Sequence, residues 1–210
     1  MSAPRTIVVL AAGRSERFGA GRHKLAQPLG ASSVLAQTLA HAIASHLRTV
    51  VVTTAAFVDV ARSSVAARDV VVLPDVGSDA VASLGMGASI AAGVSASPDS
   101  SGWLVLPGDM PLVRPATLLA VARSLDQHPV AYAQHRGRRG HPVGFAAELY
   151  SELTGLSGDE GARRIIARYP AFAVEIDDPG VLVDIDTEDD LDALRRGFVE
   201  PPAAPVPAPI

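Results

Sequence analysis

Short runs of β-branched residues alternate with longer Ala- and Leu-rich stretches along the first 125 residues. Residues 6–10 (TIVVL) read as a buried strand, and 49–53 (TVVVT), 69–73 (DVVVL) and 103–106 (WLVL) as a second, third and fourth strand. Between them, residues 34–46, 58–67, 84–94 and 115–125 carry helical periodicity, the last with Pro115 in its first turn. Apolar strands joined by helices predict a parallel sheet covered on both sides. The pattern then changes. Residues 130–134 and 142–145 read as short strands separated by the turn-rich HRGRRGH, and 95–102 (SASPDSSG) as a surface loop. Ser157 opens a helix through about Arg168, with Glu160 at capping-box spacing. Residues 172–176 and 181–185 read as strands, and 187–197 as a helix with Thr187 at its N-cap. The expected architecture is a three-layer α/β/α, Rossmann-like domain over residues 1–199, its sheet mostly parallel with a mixed second half. The Pro/Ala-rich residues 200–210 read as a disordered tail.

Composition narrows the function classes. The 210 residues are 48% apolar and 19% charged, which excludes a chain too polar to form a core. Eighteen basic residues against 22 acidic ones argue against nucleic acid as a partner, which calls for a basic excess. With no cysteine, thiol catalysis, disulfides and Cys-ligated metals are excluded, and a cytoplasmic setting is expected. No apolar run is long enough to span a bilayer, so no membrane partner is expected. The apolar start ends in a Gly/Arg turn and reads as a strand rather than a signal peptide.

Ligands of open parallel sheets bind beyond the C-terminal strand ends. The first such end carries Leu10-Ala11-Ala12-Gly13-Arg14-Ser15-Glu16-Arg17-Phe18-Gly19, with Lys24 close behind. Small residues at 11–13 let backbone N–H groups approach an anion, and Arg14, Arg17 and Lys24 surround the same spot with positive charge. Neither a Walker A loop nor the Gly-x-Gly-x-x-Gly fingerprint is present. Past the fourth strand, Pro107, Gly108 and Pro111 stiffen the turn that holds Asp109. A metal ligand and a cap for the Pro115 helix are both open readings of Asp109. Asp184 and Asp186 stand one residue apart, on one face if their segment is a strand. Magnesium takes one or two carboxylates plus phosphate and water oxygens, a need that Asp109 and Asp186 meet if their strands end side by side. Their carboxylates would then lie roughly 4–6 Å apart and repel without a metal, with Arg17 and Lys24 expected in solvent. Ser83, Gly85 and Ser89 lie in a glycine-rich helix entry that offers two hydroxyls and close backbone approach.

The LAAG-x-S-x-RFG loop followed by Lys24 resembles the signature of nucleotidyltransferases of the molybdenum cofactor, methylerythritol phosphate and sugar phosphate types. The resemblance runs nearly end to end and implies a GT-A-like nucleotidyltransferase domain. It implies that Leu10, Ala11, Ala12, Gly13, Ser15, Arg17 and Lys24 wrap the triphosphate, with Arg17 and Lys24 neutralising the departing pyrophosphate. It also implies that Asp109 acts in catalysis and that Asp109 and Asp186 hold Mg²⁺, with Asp184 a neighbour. The segment with Ser83, Gly85 and Ser89 is similar to a nucleotide-pocket element of the molybdenum cofactor cytidylyltransferases, with Gly87 where that pattern has Ser. Gly140-His141-Pro142-x-x-Phe145 and the LSGDEGAR segment ending in Arg163 resemble the same subgroup. They imply an acceptor site at Gly140, His141, Pro142 and Arg163, with Arg136, Arg138 and Arg139 as further cations. LAAG in place of the LAGG of guanylyl enzymes inclines the reading to CTP. The implied activity is transfer of CMP from CTP to a phosphorylated acceptor, molybdopterin favoured, with a molybdoenzyme or its maturation chaperone as a protein partner. Two alternatives stay open: another phosphate acceptor, or a non-catalytic carrier that inserts the molybdenum cofactor.

Overall fold

The computed structural model describes residues 4–13, 15, 18, 22–74 and 85–197. In chain order the elements are β1 (Thr6–Ala11), the small β2–β3 hairpin (Pro28–Leu29, Ser32–Ser33), α1 (Val34–Ala44), β4 (Arg48–Thr53), α2 (Val58–Ser64) and β5 (Val70–Val72). There follow α3 (Gly85–Ser95), β6 (Gly102–Pro107), α4 (Pro115–Ser124), β7 (Val130–His135) and β8 (Arg138–Ala146). The chain continues through α5 (Tyr150–Thr154), α6 (Arg163–Arg168), β9 (Ala171–Glu175) and α7 (Glu188–Gly197).

Seven strands form one sheet in the order β5-β4-β1-β6-β8-β7-β9. All run in one direction except β8, which is antiparallel to both of its neighbours, β6 and β7. The sheet is therefore mostly parallel, and the mixed part falls in the second half as expected. Alternation along β1 explains the unbroken apolar run: Ile7, Val9 and Ala11 join one core with α1, α4 and α7, while Val8 joins another with α3 and α5. Burial of each such side chain contributes roughly 1.5–3 kcal/mol, so both faces of the strand are held by helices.

Four expectations are corrected. The HRGRRGH connection is short, because β8 already begins at Arg138 and only Arg136 and Gly137 turn the hairpin. Residues 157–162 are turns and the helix starts only at Arg163, because Gly158 and Gly161 take positive φ (66° and 58°) that an α-helix cannot contain. Residues 181–185 form no strand. Pro179–Leu182 is a 3-10 turn that the Asp178 carboxylate caps by accepting from the Gly180 N–H. The 95–102 loop is partly buried, since Ser97 is inaccessible and accepts a hydrogen bond from the Trp103 indole (3.0 Å). Thr187 does cap α7, with Asp190 returning the bond: Asp190 N–H donates to Thr187 Oγ1 (3.2 Å) and Thr187 N–H to Asp190 Oδ2 (2.8 Å). Residues 198–210, including the tail, lie outside the described residues.

Candidate functional site

β1 and β6 are adjacent parallel strands, with Leu10 paired to Pro107, so the loops that leave them emerge side by side. The Gly108 N–H donates to the Leu10 carbonyl (2.8 Å), and the Thr38 hydroxyl donates to the Gly108 carbonyl (2.9 Å). These bonds seat Asp109 at the same sheet end as Gly13. A further bond brings in the C-terminal segment: the Ile185 N–H donates to the Asp109 carbonyl (3.2 Å). Without being a strand, that segment still alternates, with Asp184 exposed, Ile185 buried and Asp186 half-buried. The helix-cap reading of Asp109 is answered by another residue. Asp178, 1% exposed, accepts from the Arg114 N–H (2.9 Å) and the Thr117 hydroxyl (2.6 Å) at the start of α4.

Lys24 occupies the space between the two acids. Its Nζ lies 2.6 Å from Asp109 Oδ2 and 2.8 Å from Asp186 Oδ1, so those two oxygens are at most 5.4 Å apart. The expectation that Lys24 is solvated is therefore corrected: its side chain is 15% exposed, against 13% for Asp109 and 26% for Asp186. The two carboxylates share one ammonium and do not simply repel. Burial alone would lower the Lys24 pKa, but the Asp109 and Asp186 carboxylates together hold it above the usual lysine value. The other Asp109 oxygen, Oδ1, is buried and has no hydrogen-bond partner. Such an oxygen is costly unless a cation or donor arrives to meet it. Among the described residues no group of three or more His, Asp or Glu side chains could hold a metal by itself. A site built here has two carboxylates and takes its other oxygens from elsewhere, which suits a hard cation carried with a phosphate.

At the end of β1, Ala11 is buried, Leu10 and Ala12 are half-buried, and Gly13 is exposed. Ser15 takes a positive φ of 55°, and its carbonyl accepts from the Phe18 N–H (2.9 Å). Arg17 lies outside the described residues, as does Ser83. One residue that sequence reasoning passed over is central here. His23 donates from Nε2 to the Gly13 carbonyl (2.9 Å), accepts at Nδ1 from the Leu25 N–H (3.3 Å), and sets Nδ1 3.1 Å from Ser15 Oγ. A single histidine before a lysine carries no periodic signal that would have found it.

Gly85 and Ser89 lie at the start of α3, away from the loops just described in sequence but tied to the 157–161 turns. Gly85 has φ 62° and packs against Gly158, and the Gly87 N–H donates to the Gly158 carbonyl (2.9 Å). The structure thus joins the glycine-rich helix entry to the LSGDEGAR segment. The Ser89 hydroxyl is buried and donates to the Gly85 carbonyl of its own helix (3.3 Å). On β8, Gly140 passes so close to the Val181 carbonyl that a side chain would overlap it. Pro142 is buried, and the His141 Nδ1 is buried without a partner. Burial pushes the His141 pKa down against the pull of Asp109, the Val105 backbone and Asp184, which places the ring near the Asp109 turn. Arg136, Arg138 and Arg139 are exposed on the hairpin, with Arg139 stacked 4.5 Å over the Tyr132 ring. Arg163 is exposed at the first turn of α6, on a separate element.

Among the described residues no helix is long and apolar enough to cross a membrane. Residues 7–173 match the MobA-like NTP transferase domain. The chain is 32% identical over 208 residues to the purine catabolism protein PucB of Bacillus subtilis (strain 168), over 91% of this chain and 96% of that protein. The crystal structure of Rv0371c from Mycobacterium tuberculosis H37Rv aligns with a TM-score of 0.77 at 29% identity, over 92% of this chain and 99% of that one. The manganese complex of Rv0371c gives 0.74 at 27%, over 93% and 100%. A nucleotidyl transferase from Methanothermobacter gives 0.73 at 25%, over 92% and 97%. With four-fifths of its length matched by the domain family and a curated relative at this identity, the chain belongs to the MobA-like NTP transferase family and is a nucleotidyltransferase.

Proposed function

We propose that this nucleotidyltransferase transfers CMP from CTP to a phosphorylated acceptor, molybdopterin favoured, and releases pyrophosphate. The observation that carries the reading is the Lys24–Asp109–Asp186 cluster at the shared end of β1 and β6. A lysine and two acids at one strand end provide for both halves of a metal-bound triphosphate. Asp109 and Asp186 are the residues to hold a divalent cation, and the buried, unpartnered Asp109 Oδ1 supports the fit. When bound, magnesium or manganese supplies charge neutralisation at the α-phosphate. That a similar structure, Rv0371c, was solved in complex with manganese supports the use of a divalent ion.

The chain's own residues account for the rest. The backbone of Leu10, Ala11, Ala12 and Gly13, with Ser15, lines the phosphates. Arg17 and Lys24 supply the positive charge that the departing pyrophosphate needs. An acceptor phosphate is already anionic near neutral pH, so no strong general base is required and catalysis rests on in-line placement. Ser83, Gly85 and Ser89 are assigned to the nucleoside end, and Gly140, His141, Pro142 and Arg163 to the acceptor. The joining of α3 to the 157–161 turns supports one continuous cleft for both substrates. CTP is favoured over GTP by the LAAG loop.

The test is pyrophosphate release with Mg²⁺ and CTP, GTP or UTP, each against molybdopterin, a sugar phosphate and a phosphorylated alcohol. Release confined to CTP and molybdopterin is expected. Release with another acceptor reassigns the substrate, and tight molybdopterin binding without release with any pair would replace catalysis by a carrier role.

A further inference from the structure

We infer that His23 is a positioning residue, one that locks the loop after β1 to the Lys24 turn so that both present a single preformed site to a triphosphate. The inference rests on the reading of Gly13, Ser15 and Lys24 as triphosphate contacts.

Only a donor can meet a carbonyl, so the 2.9 Å contact to Gly13 places the proton on Nε2. Nδ1 is then an acceptor, as its 3.3 Å contact with the Leu25 N–H requires. The Leu25 amide belongs to the 3-10 turn Lys24–Ala26, and His23 is the N-cap of that turn. One neutral imidazole therefore grips the β1 loop with one nitrogen and the lysine turn with the other. The Ser15 hydroxyl, 3.1 Å from Nδ1, adds a second hold on the loop.

The ring itself is held from outside. The Phe57 ring meets it edge-on with centroids 4.4 Å apart, and Phe57 is itself buried in the core. The His23 carbonyl accepts from the Ala26 N–H (3.0 Å) and from the Gln27 side-chain amide (3.1 Å). The His23 carbonyl and both ring nitrogens are thus engaged within the protein. Its action runs through its neighbours: Lys24 is the next residue, and its ammonium must reach two acids that lie 85 and 162 residues away. Gly13, Ser15 and Lys24 already in place spare the nucleotide the cost of ordering them.

The experiment measures CTP affinity in the presence of Mg²⁺ for wild type, His23→Leu, His23→Asn, Lys24→Met and the double variant His23→Leu/Lys24→Met, with thermal melts on each. Leu keeps the packing on Phe57 and loses the ring's contacts to Gly13, Ser15 and Leu25, whereas Asn retains a donor and an acceptor. His23→Leu should weaken CTP binding about tenfold, with Asn recovering most of it. In the Lys24→Met background the His23→Leu change should cost about threefold rather than tenfold, because only the hold on Gly13 and Ser15 is left to lose. A full tenfold loss in both backgrounds, or unaltered affinity in His23→Leu, overturns the inference while leaving the triphosphate reading standing. Unaltered affinity in Lys24→Met removes that reading and the inference together. If His23→Leu does not fold, His23→Ala takes its place in the same cycle.

Discussion

Replacing Lys24 with methionine removes one charge from between two carboxylates while keeping the length of the side chain. Its ammonium stands 2.6 and 2.8 Å from the two acids, and all three side chains are more than seven-tenths buried. At an effective dielectric near 20, each attraction at these distances is about 6 kcal/mol before desolvation is counted. Taking one partner from a buried ion pair costs about 3–5 kcal/mol, because the remaining charge is left uncompensated. Here two acids are stranded no more than 5.4 Å apart, but partial exposure and the released desolvation of the lysine work the other way. The expected loss is about 2–4 kcal/mol, or roughly 4–16 °C in melting temperature for a chain of this size.

The sign with pH follows from the raised Lys24 pKa. The stabilisation is fully present below the ordinary lysine value of 10.5 and is lost only as pH rises through the higher folded value. The gap between wild type and Lys24→Met should therefore hold from pH 7 to about 10 and close above that range. Urea melts with and without Mg²⁺ give the second readout: the cation should stabilise the variant more than the wild type, since it relieves the exposed repulsion. A Lys24→Met protein that melts within about 1 °C of wild type at neutral pH would refute the reasoning and return Lys24 to solvent.

Asp109→Asn should abolish Mg²⁺-dependent pyrophosphate release and lower stability by about 1 kcal/mol, since Lys24 loses one of its two acids; retained release in the assay above would remove Asp109 from the site. Asp178→Ala should lose about 2–4 kcal/mol in a urea melt, because it strands the Arg114 N–H, the Thr117 hydroxyl and the Gly180 N–H; a loss below about 0.5 kcal/mol would show that water replaces it. Burial holds His23, His41 and His141 below the ordinary value of 6.5, so the unfolded chain binds these protons first. Stability is then intact above that pH and falls as pH drops through it toward the folded values, and His41→Gln should show a shallower decline between pH 7.5 and 5 in equilibrium urea melts.

What the amino-acid sequence determined by itself is local. The runs TIVVL, TVVVT and WLVL became parallel strands because a fully apolar run is stable only where both faces are covered. Thr187 capped its helix because the bonds that do so span three residues. The stiff Pro107–Pro111 turn placed Asp109 at a strand end, and the LAAG loop placed Gly13 at another. The meeting of those ends is a different matter. That β8 inserts antiparallel between β6 and β7, with its hairpin starting four residues earlier than alternation suggested, depends on strand order, which no short pattern encodes. The 181–185 segment has strand-like composition yet lies as a turn, because Asp178 and Pro179 fix its start and the Asp109 carbonyl fixes its end. The capping-box spacing of Ser157 and Glu160 was overridden by two glycines in left-handed conformations against α3. Lys24 and His23 found their partners only in the folded chain: the lysine between acids far away in sequence, the histidine between a loop and a turn. Propensity and periodicity act over a few residues, whereas charge pairing and burial act over distance in space. The element types were therefore open to reading, and the hydrogen-bonded site they surround was decided by the tertiary fold.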